Sequence, residues 1–296
     1  MTDNQRGSLY MVTSMAGFAV EDMFIKSAAR NQPLGQVLIF MGLAGMLWFA
    51  LQSMRVGEPA FPNTLRSRTM VLRSGFEVVG RLFYALAIAL TPLSVASAIL
   101  QATPLCVVAG AAMIFGEKVG IWRWALTAMG FVGVLVILRP GLEGFEALSL
   151  LAVIGLLGFA GRDLATRAAP PALSNAQLGT AGFSVLAVSG MVILAFNGIV
   201  ALPTSVAAVQ MLGAAGFGII GYSFLTRAMR TGEVSSVTPF RYTRLLFAMV
   251  FGVTLFGEQP DLLTLVGSAM IVCCGILIFT RKSRTGIYRS KSTRTG

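Results

Sequence analysis

The sequence contains no histidine, three cysteines, and charged residues at only 12% of its 296 positions. Soluble domains carry about 25% charged residues. Without histidine there is no Ser-His-Asp catalysis, no histidine zinc site and no histidine proton relay. Cys106, Cys273 and Cys274 lie inside apolar runs and read as small buried apolar side chains, with no disulfide framework. A phosphate-binding glycine loop, a glycosidase carboxylate pair and a metal-ligand cluster are also absent from the pattern. The expectation is a protein that is not an enzyme, with no cofactor and no metal.

Apolar residues make up 55% of the chain, and the mean hydropathy is +0.78. One soluble core of this size cannot hide that much apolar surface. The apolar residues fall into ten runs, near 8–28, 33–53, 68–90, 94–115, 122–139, 148–167, 176–197, 205–228, 234–256 and 262–280. Most approach the roughly 20 residues that cross a bilayer as a helix. Short connections with breakers such as Pro33, Gly57-Glu58-Pro59, Pro92, Pro140-Gly141, Pro170-Pro171, Pro203 and Pro260 separate them. The fold class is therefore an all-α polytopic membrane protein. Glu21 and Asp22 interrupt the first run, so it is a span and not a cleaved signal.

A shift of 141 residues matches the chain to itself without gaps. Gly17-Phe18-Ala19 and Asp22 fall on Gly158-Phe159-Ala160 and Asp163. Gly75-Phe76, Gly80, Phe83 and Ala87 fall on Gly216-Phe217, Gly221, Phe224 and Ala228. Ser94 falls on Ser235, Phe115-Gly116-Glu117 on Phe256-Gly257-Glu258, and Ala128-Met129 on Ala269-Met270. One constant offset across separate spans, with charged residues among the matches, marks a duplicated five-helix unit. Five is odd, so the second unit enters the membrane inverted, an architecture many secondary transporters use for alternating access. The expected division is 1–141 for the first unit, 142–280 for the inverted second, and 281–296 for a basic tail.

The net charge of +11 resides mostly in loops and tail, which argues for orientation and not for nucleic acid. Fifteen Lys and Arg residues fall on the side of both termini, and only Lys26, Arg30 and Arg139 on the other. That bias predicts both termini in the cytoplasm. The tail reads as a solvated flank, with lipid contact as the lesser reading.

Ten spans, the five-plus-five duplication and a Phe-Gly-Glu closing the fourth span of each half (Phe115-Gly116-Glu117 and Phe256-Gly257-Glu258) resemble the EamA-type carriers of the drug/metabolite transporter superfamily. The stretch Thr238-Pro239-Phe240-Arg241-Tyr242-Thr243-Arg244-Leu245-Leu246-Phe247 is similar to the ninth helix of a bacterial branch of that family. The resemblance implies a basket of ten helices around a central cavity, lined mainly by helices 3, 4, 8 and 9 with help from 1 and 6. It also implies movement of small metabolites, often amino acids outward, across the inner membrane.

Charges within spans are costly, at about 2.5 to 3.5 kcal/mol each on insertion scales, so each is a candidate for function. Span 3 holds Arg73, Glu77 and Arg81 on one stripe, with Tyr84 close to it. Glu77 and Arg81 sit near mid-span and are expected to pair, a pairing that favours facilitated diffusion over proton antiport. Arg73 reads as shallow and able to reach the surface. Span 9 holds Arg241, Tyr242 and Arg244 but no acid, so Glu77 or a substrate carboxylate is the expected partner. Asp22 and Asp163 occupy matched positions towards opposite membrane faces and read as gate or hinge contacts, with a solvated role as the alternative. Arg162 beside Asp163 reads as a cap at a helix end.

Uncharged polar groups cluster at Ser94, Ser97, Gln101 and Thr103 of span 4, at Tyr222 and Ser223 of span 8, and at Ser235, Ser236 and Thr238 of span 9. Pro104 and Pro239 are expected to bend spans 4 and 9. They do not coincide under the 141 shift, which predicts inequivalent bends. Glycines of spans 3, 5 and 8 (Gly75, Gly80, Gly130, Gly133, Gly213, Gly216, Gly218, Gly221) read as close helix contacts. Glu117 and Glu258 read as structural.

The expected cavity residues are therefore Glu77, Arg81, Tyr84, Gln101, Tyr222, Arg241, Tyr242 and Arg244, with Asp22, Asp163, Pro104 and Pro239 at gates or hinges. The expected activity is secondary transport of a small polar metabolite, foremost amino-acid export. An importer of a larger anionic or nucleoside-like metabolite is the alternative in the same class, and a lipid flippase or scaffold the alternative in another. The bilayer and a small-molecule substrate are the expected partners, and nucleic acid is not.

Overall fold

The computed structural model describes residues 1–115, 120–139, 146–167, 173–197, 200–231 and 238–280. Helices α1 (Asp3–Ala28), α2 (Leu34–Arg55) and α3 (Arg68–Leu90) form spans 1 to 3. Span 4 is broken into α4 (Leu93–Leu100) and α5 (Thr103–Phe115). Spans 5 to 8 are α6 (Ile121–Leu138), α7 (Leu150–Arg167), α8 (Asn175–Asn197) and α9 (Ser205–Thr231). A 3-10 turn, Thr238–Tyr242, leads into α10 (Thr243–Phe256) as span 9, and α11 (Leu262–Thr280) is span 10. The protein is all-α, with no strand among the described residues. Pro140-Gly141, Pro170-Pro171, Glu117, Ser235, Ser236, the side chains of Thr238 and Pro239, and the tail 281–296 lie outside the described residues.

Local chemistry explains several boundaries. α1 begins before its apolar run because Thr2 and Gln5 cap each other reciprocally: Gln5 N–H donates to Thr2 Oγ1 at 3.3 Å, and Thr2 N–H to Gln5 Oε1 at 2.9 Å. α10 ends at Gly257, whose φ of 67° suits the left-handed cap. Among the described residues, five helical segments are long and apolar enough to cross a bilayer without help: Leu34–Arg55, Leu93–Ile114, Ala147–Ala165, Asn175–Phe196 and Ser205–Ala228. α1 and α3 fall short because each carries charges in its interior.

Packing repeats the internal symmetry. α1 packs on α9, α2 on α8, α3 on α7, α4 on α10 and α6 on α11. Exchanging each span for its equivalent 141 residues away turns α1·α9 into α7·α3 and maps the other three pairs onto themselves. The closest approaches also repeat. A Cβ at Gly17 would lie 3.1 Å from the Gly221 Cα and 3.3 Å from the Phe217 oxygen. A Cβ at the equivalent Gly158 would strike Gly80 and lie 2.9 Å from the Phe76 oxygen. Small residues here let two backbones touch. Gly75 and Gly216 have nothing within 4 Å, which corrects the close-contact reading for those two.

The second unit is inverted. Lys26 at the end of α1 meets Thr91 beyond α3 and Glu258 beyond α10, while Gln36 at the start of α2 meets Ala201 ahead of α9. The ends of odd spans and the starts of even spans thus share one end of the molecule, opposite the termini. Leu47, Trp48 and Leu51 on α2 and Val206, Val209 and Leu212 on α9 project outward. Such belts suit hydrocarbon and would be patches in water.

Candidate functional site

Spans 4 and 9 lose regular helix at equivalent places. Gln101 and Ala102 form a turn between α4 and α5, and the boundary between the 3-10 turn and α10 falls at Tyr242. Gln101 and Tyr242 are 141 residues apart. The differing prolines predict inequivalent bends, but in the described backbone the interruptions coincide at this matched pair. Gln101 is buried and ties the two breaks together, its Nε2 donating to the Arg241 carbonyl at 2.9 Å. Thr103 Oγ1 donates to the Leu100 carbonyl at 2.6 Å, satisfying backbone freed by the break.

Around these breaks lie five arginines and four carboxylates from spans 1, 3, 6 and 9. Asp22 of α1 is 2% exposed. It accepts from Arg244 Nη2 at 2.6 Å, from Arg244 Nε at 3.1 Å and from the Tyr84 hydroxyl at 3.2 Å, all on Oδ2. The Arg244 guanidinium lies 5.3 Å from the Phe18 ring centroid and 5.4 Å from that of Tyr84. Tyr84 also lies 3.4 Å from Ser97 Oγ. Asp163, the equivalent of Asp22 on α7, stands 3.8 Å from Arg241 Nη1 and accepts from its neighbour Arg162 at 2.8 and 3.0 Å. Both arginines of span 9 therefore face the matched aspartates.

Three pairings differ from the sequence expectation. Glu77 does not pair with Arg81; it pairs with Arg73 at 3.0 Å and with Arg162 at 3.7 Å. Arg81 faces Glu21 of α1 at 3.8 Å. Arg73 is not shallow, being 5% exposed. Helix geometry favours either neighbour four residues from Glu77, and the neighbouring helices decide between them. Arg162 is not an end cap, since α7 continues to Arg167. Asp22 is buried and Asp163 half-buried, each against an arginine of span 9, and among the described residues Glu77 is not the partner of those arginines. The signal that could have found the true partners was present: Asp22 and Asp163 are the only acids within the spans that the 141 shift superposes.

The repeat is broken where charge is placed. The equivalents of Arg241 and Arg244 are Leu100 and Thr103, and the equivalent of Glu77 is Gly218. A Cβ at Gly218 would lie 2.9 Å from Glu21 Oε1, so this glycine leaves room for that carboxylate. Tyr222 is half-buried among aromatic rings, 5.3 Å from Phe49 and 6.1 Å from Phe183 by centroid. The buried Tyr242 hydroxyl has no hydrogen-bond partner among the described residues. Pro104 is half-buried in the first turn of α5.

The opposite end is held by Glu258. Its carboxylate accepts from Leu93 N–H at 2.6 Å, Ser94 N–H at 3.0 Å and Ser94 Oγ at 2.8 Å, so it caps α4 from another span. Lys26 Nζ stands 3.5 Å from it and donates to the Thr91 and Ile88 carbonyls at 2.5 and 3.2 Å. Glu258 thus joins the end of α10 to α4 and α1. Beside it opens a cavity of about 230 Å³, lined by residues including Ser94, Arg139, Glu146, Glu258, Asp261 and Thr264. This cavity lies away from the central charges. Asp261 pairs with Arg139 and accepts from Thr264 N–H at 3.0 Å. The hydrogen bond from Thr264 holds its carboxyl below the usual aspartate range. No group of three or more metal-ligating side chains occurs among the described residues.

The chain is 28% identical over 292 residues to a riboflavin transporter of Rhizobium johnstonii, covering 94% of this chain and 92% of that protein. It is 29% identical over 285 residues to a pseudopaline exporter of Pseudomonas aeruginosa, covering 93% and 97%. An S-adenosylmethionine uptake transporter of Rickettsia prowazekii is 24% identical over 224 residues, 75% of each chain. A solved crystal structure shares the fold, with a TM-score of 0.59 at 17% identity over 90% of this chain and 97% of the other. The model of the EamA-like transporter family matches twice, at residues 5–139 and 146–281, and the chain belongs to that family, as a multi-pass membrane transporter.

Proposed function

We infer that the chain is a secondary carrier of the inner membrane, with both termini cytoplasmic, that moves small polar metabolites by alternating access. Amino-acid export is its foremost activity. The observation that carries this reading is the pairing of the span 9 arginines with two repeat-related aspartates beside matched helix breaks. Broken helices at the interface of inverted repeats form the binding sites of many carriers. A scaffold gains nothing from charges that cost several kcal/mol to bury. Arg81, Tyr84, Gln101, Tyr222, Arg241 and Arg244 contribute to the substrate path, and Glu77 holds it from behind.

A second reading is import of a larger metabolite, favoured by the relatives that carry riboflavin and S-adenosylmethionine. Purified protein in liposomes, offered labelled amino acids, riboflavin and S-adenosylmethionine with and without a pH gradient, separates the two. Amino-acid flux that does not depend on the gradient is the expected result. Flux of riboflavin or S-adenosylmethionine alone establishes the second reading.

A further inference from the structure

The two aspartate–arginine pairs are related by the repeat but are not equally made. Arg244 donates two hydrogen bonds to Asp22, which also receives Tyr84, and two aromatic rings flank the guanidinium. Two of its nitrogens and its charge are engaged. Arg241 stands 3.8 Å from Asp163, beyond hydrogen-bond distance, and its guanidinium donates no hydrogen bond among the described residues. Arg162 supplies Asp163 with two hydrogen bonds, both on Oδ1, and leaves Oδ2 turned towards Arg241. The Arg241 side chain keeps 27% of its surface accessible, against 16% for Arg244. A guanidinium inside a protein without hydrogen bonds is an expensive group, and its planar fork matches a carboxylate.

Resting on the carrier reading above, we propose that Arg241 is the receptor for an organic carboxylate on the substrate, while Arg244 is a latch that never meets it. Asp163 marks the place of that carboxylate from one side. The break of span 9 fixes the arginine's backbone, since Gln101 holds the Arg241 carbonyl at 2.9 Å. Glu77 is fully buried against Arg73 and Arg162 and takes no part in recognising a substrate ammonium. The anionic end is thus the shared feature of the substrates, and the rest of the molecule is free to vary.

The test uses the purified full-length protein and two probes of equal shape, benzoate and benzamide. Benzoate should raise the melting temperature of the wild type in a saturable way, and benzamide should not. Arg241→Gln should lose the benzoate shift, and Arg241→Lys should bind benzoate about tenfold more weakly, because lysine keeps the charge but not the fork. Arg139→Gln, at the far end, should keep the full shift. An absent shift in the wild type, an equal shift with benzamide, or unchanged benzoate affinity in Arg241→Lys overturns the proposal. Amino-acid uptake is followed in the same preparations. Arginine-dependent benzoate binding without amino-acid uptake keeps the proposal and removes the amino-acid reading. Uptake with a benzoate shift indifferent to Arg241 does the reverse.

Discussion

Asp22 shows how much a single carboxylate holds together. It is buried, and Arg244 and Tyr84 meet on one of its oxygens. Removing one partner of a buried ion pair leaves an uncompensated charge and costs about 3–5 kcal/mol. Asp22→Asn should therefore lower the melting temperature sharply. The double variant Asp22→Asn/Arg244→Gln should recover part of that loss, because neither group is then left charged and alone. Losses that simply add would show that the pair is not coupled. Asp261 offers the opposite case at the exposed start of α11. Its side chain caps the helix, so Asp261→Ala should cost about 1 kcal/mol at neutral pH. Because its carboxyl is held below the ordinary aspartate value, the native residue's contribution is present above that value and fades as pH falls through the lowered one. Wild type and variant should converge in stability in acid.

At the scale of elements, the helices were legible in the sequence and many of their partners were not. Hydrophobic runs mark where a chain crosses lipid, so ten spans and their repeat could be read from composition and offset alone. Periodicity places Arg73 and Arg81 equally well beside Glu77, four residues to either side. Only α7, which brings Arg162 to Glu77, and α1, which brings Glu21 to Arg81, resolves that choice. The candidate residues of span 9 were legible because arginine in an apolar run is rare, but their aspartates lie far away in sequence. The glycines divide in the same way. Composition cannot tell Gly158, pressed against Gly80, from Gly75, which faces open space. Gly158→Val should force α3 and α7 apart and lower the melting temperature by several degrees, since overpacking a tight contact costs roughly 1–3 kcal/mol. Gly75→Val should fold and transport as the wild type does. Equal tolerance at both positions, measured by monodisperse yield in detergent, would contradict the packing.

For the whole molecule, the inverted repeat makes one end a template for the other. A reporter active only outside the cytoplasm, fused after Gly296, should be silent if the lysine and arginine bias sets orientation. With that orientation, the end closed by Lys26 and Glu258 faces outward. There Glu258 caps α4 beside Ser94 while Lys26 joins it to α1 and α3. The 141 shift places Arg167, Glu117 and Ser235 in the corresponding positions at the cytoplasmic end. Glu117, Ser235 and the Arg167 side chain lie outside the described residues, so the expectation for them comes from the repeat alone. In an inverted repeat, the two units exchange conformations as access alternates. The Arg167–Glu117 contact should then form as Lys26–Glu258 breaks. In a background where the three native cysteines are serine, the pairs Lys26→Cys/Glu258→Cys and Arg167→Cys/Glu117→Cys should each cross-link. Adding Glu258→Gln to the second pair should raise its cross-linking several-fold by unfastening the outer end. Adding Glu117→Gln to the first pair should raise that one in turn. If both pairs cross-link fully in the same molecules, both ends close together, and the exchange of states between the two repeats is wrong.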